Sequence, residues 1–126
     1  MLEAESGAIE AVQLLIPGAC ANTAAATGGW IDVRKYEGNL VITQQIGVVT
    51  GGSIAGKIQD ATDGSGTGVA DVVGATFTSV STATDPALEK LLVPAGAVRG
   101  WIRYLGTVTT GPCDAGVTLH ARSKYV

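Results

Sequence analysis

Charge is what this sequence has least of. Asp, Glu, Lys and Arg make up 15% of its 126 residues, where a quarter is usual. A surface so thinly charged suits a chain that hides part of itself against copies or a partner. The plainer alternative is a compact monomer with small polar side chains outside, since Thr, Ser and Gly are plentiful. The balance is acidic, with a net charge of −3. The few basic residues are dispersed from Arg34 to Lys124 and form no stripe. Nucleic acid selects clustered cations that release counterions, so a direct nucleic-acid partner is excluded.

Other scarcities exclude further classes. No apolar run approaches the roughly 18 residues that cross a bilayer, so no membrane partner is expected. Glu3, Glu5 and Glu10 stand where a secretory leader would be basic, which predicts a soluble product made in the cytoplasm. Histidine occurs once, at His120, with no nucleophile or orienting carboxylate nearby in sequence. Cys20 and Cys113 belong to no CxxC pair and have no His at ligand spacing, so zinc is not expected. Both sit in loop-like text, PGACAN and TGPCDAG, where a bridge between loops competes with two thiols; a reducing cytoplasm favours thiols.

Asp60, Asp63 and Asp71 bracket a glycine-rich loop but lack the alternate spacing and final acid of a calcium loop. The GSGTG stretch lacks the Lys-Ser/Thr end of a phosphate loop. Glycines there fit the positive φ of a tight loop. Neither cofactor, metal nor catalytic residue is expected, and the chain does not read as an enzyme.

What is present is a rhythm of short apolar runs punctuated by Gly, Thr and Ser. The segment from Ala4 to Ile16 leaves helix and buried strand both open, and a long loop follows to Gly29. Strands are predicted at Trp30–Val33 and Leu40–Thr50, the latter ending in a Gly51-Gly52 turn that reads as a hairpin into Ser53–Gln59. Gln44 interrupts the apolar face of the longest strand. Val69–Val73 and Thr76–Val80, broken at Gly74, read as one short strand or a kinked one, and further strands are predicted at Leu88–Val93, Val98–Val108 and Ala115–Arg122. About seven to nine short strands with no βαβ rhythm predict one all-β domain, a small antiparallel β-sandwich or barrel. Jelly-roll and immunoglobulin-like strand orders give the same alternation and stay open.

Candidate contact residues are few. Aromatics are 5% of the chain, and Trp30 and Trp101 are the only large anchors. Each is core packing, an interface anchor or, third, a sugar platform. Arg99 and Arg103 lie four apart with Trp101 between them, so alternation puts all three on one face. They either stack and reach a partner's carboxylates or keep the strand's outer face soluble.

Three stretches carry a resemblance: GGWIDVRKYEGNLVITQQIGVVTGGSIAGKIQDATDGSGTG, DVVGATFTSV and VRGWIRYLGTVTTGP. From Gly28 onward the chain resembles small virion structural proteins of tailed bacteriophages and prophages, of the capsid decoration (cement) type. That resemblance implies a jelly-roll-like β-sandwich, a homotrimer, and seating on the capsid exterior against the major capsid protein. The acidic segment 1–9 then reads as a short N-terminal arm that orders on a neighbour. Leu2 and Ile9 in that arm, with Arg99, Trp101 and Arg103, are the candidate partner-binding residues. A virion-surface carbohydrate-binding module and a tail or head-completion piece are the rival readings.

Overall fold

The structure, a computed structural model, describes residues 9–21 and 26–124. Nine strands follow one another: β1 (Ile9–Cys20), β2 (Ile31–Asp32), β3 (Tyr36–Val49), β4 (Gly52–Ala61), β5 (Ala70–Thr76), β6 (Val80–Ser81), β7 (Ala87–Pro94), β8 (Trp101–Thr110) and β9 (Cys113–Ser123). A single turn of 3₁₀ helix at Ala95–Ala97 is the one helical piece among the described residues. The strands build two antiparallel sheets. One has the order β1-β9-β3-β7, the other β2-β8-β4-β5, with β6 also paired to β4.

The pairing is nested. The first strand pairs with the last, the second with the second-last, and β3 with β7, while β4 pairs with β5 at the fold-over. A long antiparallel ribbon rolled up in this way is a jelly roll. Strand order thus decides what alternation left open.

Period-two alternation builds the core. In β3, Leu40, Ile42, Gln44 and Ile46 point inward; in β4, Ile54, Gly56 and Ile58; in β8, Ile102 and Tyr104; in β9, Val117, Leu119 and Ala121. Gln44 is not a gap in the apolar face. It is buried, and its Oε1 accepts a 2.6 Å hydrogen bond from the Tyr104 hydroxyl across the sandwich. Gly56 makes the space, since a Cβ there would lie 2.2 Å from that hydroxyl and 2.5 Å from Gln44 Oε1. Phe77 packs beside Tyr104, with ring centroids 6.1 Å apart.

Several expectations are corrected. The β3–β4 connection is not a hairpin. β3 pairs with β7 and β9, β4 with β8, β5 and β6, and the glycine pair carries the chain from one sheet to the other. Gly52 has φ +69 and lies so close to Thr109 that a Cβ would overlap its carbonyl oxygen. The link is anchored by Thr50 N–H to the Pro112 carbonyl (2.9 Å) and Gly111 N–H to the Gly51 carbonyl (2.9 Å). A glycine pair permits a sharp reversal but does not say which strand receives it.

At the amino end strand wins over helix, and β1 runs through Pro17 to Cys20 where a loop was expected. Irregular register after Gln13 buries both Leu14 and Leu15. Ile9 opens β1 opposite Arg122, so it belongs to the sandwich rather than to an arm; residues 1–8, with Leu2, lie outside the described residues.

Candidate functional site

The two outer faces of the sandwich differ. On the β2-β8-β4-β5 sheet, the outward residues of β8 are Trp101, Arg103 and Leu105, facing Ala61, Gln59 and Lys57 of β4. Each charged or aromatic group there has a partner inside the molecule. The Arg103 guanidinium donates to Gln59 Oε1 at 3.0 and 3.1 Å and lies 4.7 Å from the Trp30 ring centre. Lys57 Nζ and Gln59 Nε2 both bind Asp71, which holds that carboxyl below the usual range. Arg34 stacks 5.6 Å from the Trp101 ring and pairs with Asp32 at 2.7 Å; this bond draws the Asp32 carboxyl down to about 2.

The loop between β4 and β5 closes over this face. Asp63 organises it, accepting from Ser65 N, Thr67 N and Thr67 Oγ1, bonds that lower its carboxyl. Two of its glycines lie on the indoles. A Cβ on Gly64 would come 3.0 Å from the Trp101 ring, and one on Gly66 (φ +85) 3.0 Å from Trp30 Nε1. Arg99 fastens the far end. Its backbone N–H and guanidinium bind the Asp60 carboxylate, a side chain only 8% exposed, and its Nη2 also binds the Gly68 carbonyl.

The sequence-based trio is therefore divided. Arg103 stacks on Trp30, Trp101 on Arg34, and Arg99 lies before the start of β8, tied to the loop. Positive φ accounts for Gly66 and Gly68 of GSGTG, and contact with the indoles for Gly64 and Gly66. Nothing in the local sequence marks which aromatic a glycine lies against.

The outer face of the β1-β9-β3-β7 sheet is plainer. Across it run Ala11, His120, Val41 and Leu92 in one row, and Gln13, Thr118, Thr43 and Lys90 in the next. Leu88 and Leu92 are 71% and 58% exposed on the edge strand β7. Beside them lies an open groove of about 460 Å³ bordered by Pro17, Gln45, Gly47, Asp114, Gly116 and His120. His120 lies on the outer face, between the inward Leu119 and Ala121. Among the described residues, no group of three His, Cys, Asp or Glu side chains could hold a metal ion, and no helix is long and apolar enough to cross a membrane. Chemically, this face offers aliphatic contact and a few hydrogen-bonding groups, with charge at Lys90 and Asp114.

No protein-family model matches the chain, and neither does any curated protein. Solved structures do. A chain of the T13 particle of infectious bursal disease virus superposes with a TM-score of 0.53 at 10% identity, over 90% of this chain and 31% of that one. A chain of the VP2 subviral particle of the same virus gives 0.46 at 9% identity, over 90% and 32%. This chain thus spans about a third of the length of the chains it matches. At 10% identity the likeness to the T13 particle chain is one of fold: this chain is an all-β jelly-roll sandwich.

Proposed function

We propose that the chain is a structural component of a virion. Within that class we propose a decoration (cement) protein, bound as a homotrimer to the major capsid protein on the outside of a tailed-phage head. The observation that carries the reading is the contrast between the faces. One uses its charged and aromatic groups in contacts with its own loop and ion pairs, with Val73 of its edge strand β5 left exposed, while the other leaves Leu88 and Leu92 open beside a groove. Such a face is expected to be covered. The jelly-roll fold, the sparse charge and the resemblance from Gly28 onward support the same reading.

In this role the protein works by area rather than by chemistry. Each copy covers a seam between capsid subunits, and a trimer gains further because each added foot binds at high effective concentration. A closed ring of three uses a heterologous interface and covers sheet edges that would otherwise pair with strangers. The acidic balance and dispersed cations support contact with the shell rather than with packaged nucleic acid.

The sugar-binding alternative needs an exposed indole platform. Both indoles here carry a guanidinium and a glycine loop, so no observation favours it.

The test is co-sedimentation of the full chain with expanded, DNA-free heads of the phage that encodes it. The wild type is expected in the pellet. A Leu88→Asp/Leu92→Asp variant is expected in the supernatant with an unchanged circular dichroism spectrum. Wild-type protein that stays in the supernatant refutes the reading.

A further inference from the structure

We infer that Cys20 and Cys113 are a built-in disulfide site, two thiols placed to close a bridge between the first and last strands. The β-ladder sets them directly opposite each other, Cys20 as the last residue of β1 and Cys113 as the first of β9. Both side chains point into the sandwich, 3% and 2% exposed. Both are thiols in this structure, and Cys113 Sγ lies 3.8 Å from the Cys20 carbonyl oxygen.

Directly opposed residues of an antiparallel pair have Cα atoms about 4.5–5.5 Å apart, inside the 4.4–6.8 Å that a disulfide spans. Opposed Cβ atoms start about 4.5–5.5 Å apart and a bridge needs about 3.5–4.5 Å, so closure takes a small inward shift. Buried cysteine also serves simply as a small apolar residue. That role does not require two of them in register 93 positions apart. A metal role lacks further ligands among the described residues.

Synthesis in a reducing compartment leaves the pair as thiols. Burial, with Asp114 nearby, pushes both thiols up, so little thiolate is present at neutral pH and exchange is slow. The oxidant is a small-molecule disulfide of the glutathione class. One cysteine thiolate attacks it, forming a mixed disulfide and releasing one glutathione thiolate, which takes up a proton. The second cysteine gives up its proton and attacks the protein sulfur of the mixed disulfide, expelling the other glutathione. Two protein thiols become one bridge, and one glutathione disulfide becomes two thiols.

The bridge would fix β1 where it most needs it. β1 is an edge strand whose one ladder partner among the described residues is β9, and Cys20 is where it ends. Joining positions so distant removes much freedom from the unfolded chain. The bridge needs only a compartment that supplies such an oxidant, whatever the protein's role.

The test uses the reduced, folded full chain exposed to oxidised glutathione, at neutral pH and at a pH well above the ordinary thiol value of about 8.5, because both thiols are pushed above it. Thiols are then counted after unfolding, with intact mass and a non-reducing gel. The wild type is expected to lose both thiols and the mass of two hydrogen atoms, to run as a single chain, and to react faster at the higher pH. Its melting temperature should rise by about 10 °C or more and fall back with reductant. Cys20→Ser and Cys113→Ser should each show no such rise. Two surviving thiols, stable glutathione adducts or disulfide-linked dimers in the wild type overturn the inference.

Discussion

Gly56→Ala probes the buried hydrogen bond between Tyr104 and Gln44 in the sandwich core. The added Cβ would sit 2.2 Å from the Tyr104 hydroxyl and 2.5 Å from Gln44 Oε1. Neither group has room to yield, because Tyr104 is wholly buried and Gln44 is 1% exposed. Overpacking costs about 1–3 kcal/mol. Parting the 2.6 Å hydrogen bond leaves a buried donor and acceptor unmatched, at about 1–3 kcal/mol more. For 126 residues, one kcal/mol moves the melting temperature by about 4 °C. A loss of about 3 kcal/mol thus lowers it by about 12 °C.

The companion variants separate the two costs. Tyr104→Phe alone and Gln44→Leu alone should each destabilise by about 1–3 kcal/mol, because each strands its partner. The double variant should cost less than the sum, since an apolar pair strands nothing. The assay is thermal and urea unfolding of all variants at neutral pH. A Gly56→Ala protein melting within about 2 °C of wild type, or strictly additive single variants, would refute the hydrogen-bonded core.

Two further outcomes are expected. Asp60→Ala removes the acceptor of the Arg99 amide, costing about 1 kcal/mol for that bond, and frees the loop over the indoles. The urea midpoint should fall and tryptophan emission shift red, and unchanged emission would contradict the stapling role of Asp60. In acid, the Asp32–Arg34 clip should open. The Asp32 carboxyl lies at about 2, below its ordinary value near 3.9, so its stabilisation is complete above about pH 4 and is lost as pH falls through about 2. Trp101 fluorescence should follow this titration and Asp32→Asn should abolish it; a transition centred near pH 6 would contradict the assignment.

Strand text was largely legible. The alternation in the sequence of β3 and β9 is the one found, with Leu40, Ile42, Val117 and Leu119 inward and His120 outward, until the irregular register after Ile46 turns Val48 out and Val49 in. Partnership between strands was not legible, because period two gives the face of a residue but not its neighbour. The glycine pair at 51–52 shows this, since its local chemistry suits a hairpin and a sheet-to-sheet crossing alike. Arg99 failed for another reason. Alternation assumes the strand continues, and the Asp60 carboxylate, 39 positions away, holds the chain out of β8 before Trp101. Cys20 and Cys113 sat in loop-like text, and only the β1–β9 register shows them opposite each other.

The most direct measurement is the mass of the purified protein in solution, together with its copy number on expanded heads. A stable trimer that saturates heads at a number matching their threefold positions is the expected result. A monomer that leaves heads bare at every concentration would contradict the proposed role.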